Sequence, residues 1–294
     1  MKLIDRLVKC QGRADVIEIV PFGDCHIGSR NCAETPLRQI IKSLPENALV
    51  ILGGDIIDAI RPQDIKRFDF DTLPDWMIGG DADTTRDMLG DIVNQQIKRA
   101  VDIFSPIKDR IVGAIEGNHE RDVLKYAGFA AHKAICKGLG IQDLTDQALI
   151  RFRFQRLKAV KTFIIYIRHG YGGGRTAGAE PQKLDRMLNE WEQASVCFTG
   201  NTHCFHILPP KPVLEMPRSG AIPKELTCRY RWAGNWGCWL YSHAEGASSY
   251  ASRACYPARP MLTCRAVLRP FTVVQKDSQQ LSKPEIELRS ITIS

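Results

Sequence analysis

Ala48-Leu49-Val50-Ile51-Leu52-Gly53-Gly54-Asp55 is the stretch from which the rest of the chain can be read. Five apolar residues in a row, with no polar alternation, predict a strand buried on both faces. The run ends in two glycines, which allow a tight turn and close backbone approach, and then in a carboxylate. The same order recurs: an apolar run, a glycine-bearing turn, then a side chain able to bind a metal. Residues 16–20 lead through Gly23 to Asp24 and His26. Residues 110–116 lead to Gly117-Asn118-His119-Glu120. Residues 162–167 lead to His169-Gly170, and residues 195–199 to Gly200-Asn201-Thr202-His203.

Helical patterns fall between these runs. They cover residues 35–44, with Thr35 as N-cap and Pro36 in the first helical position, residues 84–104, ended by Pro106, and residues 121–139 and 181–192. Strands alternating with helices predict an α/β fold. Loops at the carboxyl ends of its strands converge on one edge, where ligands bind. Residues 24, 26, 55, 118, 169 and 203 are therefore expected to meet, although they are far apart in sequence. Residues 60–83 have no period and are expected to form an excursion, either a lid over a site or a packed surface loop. Beyond His206 the texture changes, with four prolines between positions 209 and 217. Segments 229–232, 236–241 and 262–268 read as antiparallel strands. One domain is expected over residues 1–275, followed by a polar tail, 276–294, whose alternating Ile286-Glu287-Leu288 suits an edge strand.

The chain has 294 residues, of which 44% are hydrophobic and 25% charged, so it can bury a sizeable core and bulk disorder is not expected. Its net charge of +7 favours phosphate-bearing partners. The ten cysteines include no C-x-x-C pair. Residues 1–6 do not resemble a secretory signal, and no apolar stretch reaches the ~18 residues of a membrane span. Buried thiols, such as Cys197 and Cys238 in apolar or aromatic runs, in a reducing cytoplasm are expected, with no membrane association.

Asp, His and Asn without thiolate suit manganese first, then iron, zinc, nickel or magnesium. One carboxylate can bridge two ions about 3.5–4 Å apart, and such a pair can clamp the oxygens of a phosphate. Any single motif here is weak. Four of the seven histidines, however, lie in the series, which argues against scattered core histidines.

The ordered set Asp24-Cys25-His26, Gly54-Asp55, Gly117-Asn118-His119-Glu120, His169 and Gly200-Asn201-Thr202-His203 resembles that of the calcineurin-like metallophosphoesterase superfamily. The resemblance spans roughly residues 16–206. It implies a four-layer αββα sandwich in one domain, two divalent metal ions, and hydrolysis of phosphoesters by a hydroxide that the metals hold. By the same resemblance, Asp24, His26, Asp55 and His203 hold the first ion. Asp55 bridges to a second, shared with Asn118, His169 and the position of Asn201. His119 is the catalytic histidine, and Glu120 pairs with or orients it. Asn201 departs from the pattern, which has histidine there. Three readings stay open: a substitution introduced to inactivate the site, a natural variant with a weak second metal, or replacement by His206.

Nucleic acid is the expected substrate, through nuclease action on phosphodiester bonds. Arg30 and Arg121 are the expected substrate contacts, with Arg61, Arg168 and Arg175 also beside the motifs. The run Arg229-Tyr230-Arg231-Trp232, with Trp236 and Trp239, reads either as a base-stacking surface or, preferably, as core strands. Gly172-Gly173-Gly174 reads either as a phosphate cradle or as a flexible loop. A phosphomonoesterase acting on protein or small-molecule phosphates, and a nucleic-acid-binding protein with reduced catalysis, are the alternatives.

Overall fold

The computed structural model describes residues 1–65, 67–78, 80–172, 178–215, 227–242, 261–276, 279–282 and 285–292. Gly173, Gly174 and Arg175 therefore lie outside the described residues. The first sheet has the order β1 (Lys2–Lys9), β5 (Gln147–Arg156), β6 (Ala159–Arg168), β7 (Val196–Thr199), β9 (Thr227–Asn235) and β8 (Lys211–Glu215). The second has the order β13 (Glu285–Thr292), β10 (Leu262–Arg269), β2 (Ile17–Phe22), β3 (Leu49–Leu52) and β4 (Ile111–Ala114). A short hairpin joins β11 (Val273–Lys276) and β12 (Gln279–Ser282). The helices are α1 (Glu34–Ser43), α2 (Asp75–Ile78), α3 (Ala82–Gly90), α4 (Ile92–Phe104), α5 (Asn118–Ala127), α6 (Ala131–Leu139) and α7 (Ala179–Glu190).

Strand periodicity builds four layers from these elements. Successive side chains on a strand point to opposite faces. In β2, Ile17 and Ile19 face the other sheet, while Val20 and Phe22 face helices. In β7, Val196 and Phe198 face inward and Cys197 faces α7. The inter-sheet core joins Ile19, Ile51 and Val112 to Ile150, Phe152, Ile165 and Phe198. Helices α1, α4 and α6 cover the second sheet through Leu37, Ile97 and Ile135, and α7 covers the first through Leu184 and Met187. The result is the αββα sandwich, and its central strands β2, β3, β4 and β7 read as apolar runs because both of their faces are buried.

Several local expectations change. Helix α1 starts at Glu34, so Thr35 lies inside it, and its N-cap Ala33 makes no side-chain bond. The single helix expected over 84–104 is two, broken at Gly90-Asp91, where Asp91 leaves helical geometry at φ −124°. The helix expected over 121–139 is also two, α5 and α6. Gly128 ends α5 in the left-handed conformation (φ 66°) that glycine takes without steric cost. The excursion buries Leu73 and Met77 against the core, as a packed element does. Strand β9 runs antiparallel to β8 but parallel to β7. The polar alternation near the C-terminus belongs to β13, which pairs with β10 from Leu262↔Thr292 to Arg269↔Glu285. The charged N-terminal segment forms edge strand β1, parallel to β5, where Asp5 meets Arg151 and Arg153.

Candidate metal centre

Six parallel-running strands deliver their carboxyl ends to one place. From the second sheet, β2, β3 and β4 lead to Asp24, Asp55 and Asn118. From the first, β6, β7 and β9 lead to His169, Asn201 and Trp236. The loops after β2 and β3 are tied together by backbone bonds. Asp24 N donates to Gly54 O (2.9 Å), and Cys25 N and His26 N both donate to Asp55 O (2.8 and 3.0 Å).

Holding the ligands there costs backbone strain. Among the described residues, eight non-glycine residues have positive φ, and five of them are Asp24 (50°), His26 (48°), Asp55 (49°), Asn201 (67°) and His203 (55°). Each left-handed non-glycine residue costs on the order of 1–3 kcal/mol and persists only where its surroundings over-determine it. Its concentration at these positions marks the site independently of any motif.

The side chains form three overlapping groups: Asp24/His26/His203, Asp24/Asp55/His169 and His26/Asp55/His119. Within each group the ligand atoms lie within 4.8 Å of one another. His26 Nε2 is 3.1 Å from His203 Nε2, and Asp24 Oδ1 is 3.4 Å from the latter. His169 Nε2 lies 3.1 Å from Asp55 Oδ2 and 3.0 Å from Asn118 Oδ1. All of these residues except His119, Asn118 and His203 are essentially buried.

A second layer sets which ring nitrogen faces the centre. His169 Nδ1 donates to Gly53 O at 2.8 Å, which leaves Nε2 as a lone pair directed at two acceptor oxygens. Only a proton or a cation satisfies three such atoms. His26 Nδ1 donates to Asp58 Oδ1 at 3.3 Å and likewise turns Nε2 to the centre. His119 Nδ1 is bound to Asp58 O, and the His119 backbone N donates to Asp55 Oδ1 at 2.9 Å. Asp24 Oδ1 is buried and accepts no hydrogen bond, while Oδ2 accepts from Trp236 Nε1 (2.6 Å) and Asn201 N (2.9 Å). The unpartnered carboxylate oxygen and the inward imidazole lone pairs together fit divalent transition-metal ions.

The charge distribution agrees. Burial opposes ionisation of Asp55, yet the imidazoles of His169 and His119 outweigh it and hold the carboxyl well below its ordinary range. Burial also pulls His169 down, and Asp55 overcomes it, pushing the imidazole up to about 10. Both shifts report a potential that favours added positive charge.

Other expected residues land differently. Glu120 does not bond to His119. It is buried, and its carboxylate accepts from the backbone N of Asp55 (3.0 Å), Ile56 (2.7 Å), Ile57 (3.2 Å) and Gly117 (3.1 Å), so it cradles the turn after β3. Asn201 sends its side-chain Nδ2 to Gly172 O at 3.4 Å. His206 belongs to none of the ligand groups found among the described residues. Arg30 and Arg121 are exposed, whereas Arg168 pairs with Glu190 at 3.0 Å and lies over Tyr171. Arg229 pairs with Glu215, and buried Arg231 caps the carbonyls of Leu188, Trp191 and Ala194. Trp236 and Trp239 are fully buried and belong to the core, whereas Tyr230 on β9 is half exposed. Cys197 is a buried thiol, and burial pushes it up to about 12. No helix among the described residues is long and apolar enough to cross a membrane.

Sequence reasoning missed Asp58 and Trp236. Asp58 stands three residues after Asp55 without a motif of its own. Trp236 is expected from the sequence to open a strand over 236–241, whereas it is the first residue after β9 and no strand follows it there.

No family model matches the chain, and no curated protein does. Solved structures do match, at low similarity. A conserved uncharacterised protein from Streptococcus pneumoniae, titled a predicted phosphoesterase, is 13% identical over 95% of this chain and 98% of its own, with a TM-score of 0.34. Vps29 from Chaetomium thermophilum is 10% identical over 94% and 99%, with a TM-score of 0.36. The NAD nucleotidase of Haemophilus influenzae is 11% identical over 95% of this chain and 50% of its own, with a TM-score of 0.38. Superpositions this loose carry no weight for activity. What the chain can do therefore rests on its own convergent donors: a cluster of mostly buried Asp and His side chains, with Asn118 at its exposed edge, that are candidate ligands for metal ions.

Proposed function

We propose that the chain is a dinuclear metal-dependent phosphoesterase of the calcineurin-like type, and that it cleaves phosphodiester bonds in nucleic acid. The observation that carries this is the His169 Nε2 lone pair set against Asp55 Oδ2 and Asn118 Oδ1, beside the equivalent convergence of His26, His203 and Asp24. Asp24, His26, His203 and Asp55 would hold one ion. Asp55, His169 and Asn118 would hold the other, with Asn201 beside it. Bound metals would supply Lewis-acid polarisation of the phosphate and a water of lowered pKa.

The chain's own residues do the rest. Asp55 stands between the two halves, grouped with His26 and His119 on one side and with Asp24 and His169 on the other. The His119 ring is fixed through Nδ1 by the carbonyl of Asp58, so Nε2 is the atom that passes a proton to the leaving oxygen. Glu120 holds the turn that carries Asp55. For the substrate, the net charge of +7 and the exposed Arg30, in the loop after His26, and Arg121, in the first turns of α5, support a polyanion.

The test is to incubate the chain and its Asn201→His form with Mn²⁺ against single-stranded DNA, duplex DNA, RNA, cyclic nucleotides and a phosphopeptide. Cleavage of nucleic acid is expected. Cleavage of the phosphopeptide alone overturns the substrate. Nucleic-acid binding with no cleavage by either form makes the chain a binding protein instead.

A further inference from the structure

Three glycines at the centre have no conformational reason to be glycine. Gly23, Gly53 and Gly200 are not in the positive-φ region, unlike Gly54 (φ 86°) and Gly170 (φ 101°). What they share is space. A Cβ on Gly23 would lie 2.5 Å from Trp236 Nε1, one on Gly53 2.7 Å from Cζ2, and one on Gly200 2.1 Å from Cε2. Each glycine is the first residue after its strand, β2, β3 or β7, and leads directly into a ligand loop. The indole therefore lies on a bed made by the carboxyl ends of three strands, two from one sheet and one from the other.

Trp236 itself is the first residue after β9. Its backbone N donates to Thr199 O at 3.2 Å, and its ring is fully buried. Its one polar atom donates to Asp24 Oδ2 at 2.6 Å, and Trp239 N donates to the Asp24 carbonyl at 3.0 Å. Asp24 belongs to two of the three ligand groups, the one with His26 and His203 and the one with Asp55 and His169. With Oδ2 occupied by Trp236 and Asn201 N, the carboxylate can turn only Oδ1 to His203.

We propose that Trp236 is a positioning residue for the metal centre: its indole N–H fixes the Asp24 carboxylate with Oδ1 toward the ions, and its ring sets the spacing of the three glycine-led ligand loops. This rests on the metal reading above. It adds a sixth strand end to the centre, one that supplies a second-layer donor rather than a ligand. Partners that orient a metal ligand alter affinity by about 10–100-fold when removed.

The test separates the contact from the metal. Trp236 is replaced by its benzothiophene isostere, which keeps the bicyclic shape and carries sulfur in place of the N–H donor, and in parallel by Trp236→Phe. Mn²⁺ and Co²⁺ binding is measured by calorimetry, alongside thermal unfolding in chelator. The isostere is expected to bind the ions about 10–100-fold more weakly, with its chelated melting midpoint near that of the parent. Independently, the Trp236 indole proton of ¹⁵N-labelled protein is expected far downfield and to move on Asp24→Asn. Parent-like ion affinity in the isostere overturns the positioning role, and so does an indole proton indifferent to Asp24→Asn. If the parent takes up no ion while the indole proton still responds to Asp24→Asn, it is the metal reading that falls, and with it the role of Trp236 toward ions.

Discussion

Glu120→Gln exchanges one oxygen for an NH₂ at constant shape, and its cost follows from the donors around it. Ile56 N and Ile57 N point at Oε1 (2.7 and 3.2 Å), and Asp55 N and Gly117 N point at Oε2 (3.0 and 3.1 Å). Whichever way the amide turns, two buried N–H groups face another donor. An unsatisfied buried donor costs about 1–3 kcal/mol, so the pair cost about 2–6 kcal/mol. Against this, a neutral amide is easier to bury than a carboxylate whose pKa burial has raised, with Asp55 adding to the rise. The net loss expected is about 3 kcal/mol. Unfolding a chain of this length releases about 0.6 kcal/mol/K of entropy, so the melting midpoint should fall by about 5 °C. The assay is differential scanning calorimetry in chelator, which removes stabilisation by bound ions. A fall of less than about 1 °C would refute the cradle, because four satisfied donors cannot be that cheap to disturb.

Further outcomes follow from other parts of the centre. His119→Ala should lower metal-dependent turnover by about 10²–10⁴-fold while leaving ion stoichiometry, read by elemental analysis, unchanged. Asn201→His keeps the backbone bond to Asp24 and gives up only the side-chain bond to Gly172; a large rise in turnover of a bis-aryl phosphate is expected, and equal turnover in both forms would detach position 201 from the second ion. Arg30→Ala combined with Arg121→Ala should flatten the slope of log binding constant against log salt for duplex DNA by about 2, near 0.9 for each phosphate no longer neutralised. The carboxyl of Asp5, held down to about 2 by hydrogen bonds from Arg151 and Arg153, should titrate there by NMR. Since its folded pKa lies below the unfolded one, its contribution to stability is complete above about 4 and fades as pH falls toward 2. The unfolding midpoints of the parent and Asp5→Asn should therefore converge on acidification.

Sequence by itself determined the strands that are buried on both faces and the glycine turns that follow them, because both are local chemistry. A run such as Leu49–Leu52 has no polar face to offer water, and a ligand after a tight turn can stand only at a strand end. That made Asp24, His26, Asp55, Asn118, His169 and His203 legible as one series. Helix breaks were less legible: Gly128 ends α5 by taking a left-handed conformation, which a periodic apolar pattern does not register. What only the tertiary structure decided lies across the sequence. Glu120 serves the turn at Asp55 rather than its neighbour His119, Asp58 orients two imidazoles, and Trp236 reaches back 212 positions to Asp24. No local pattern encodes these pairings. They exist because two sheets bring six strand ends together, and buried donors and acceptors must find partners among whatever the fold places beside them.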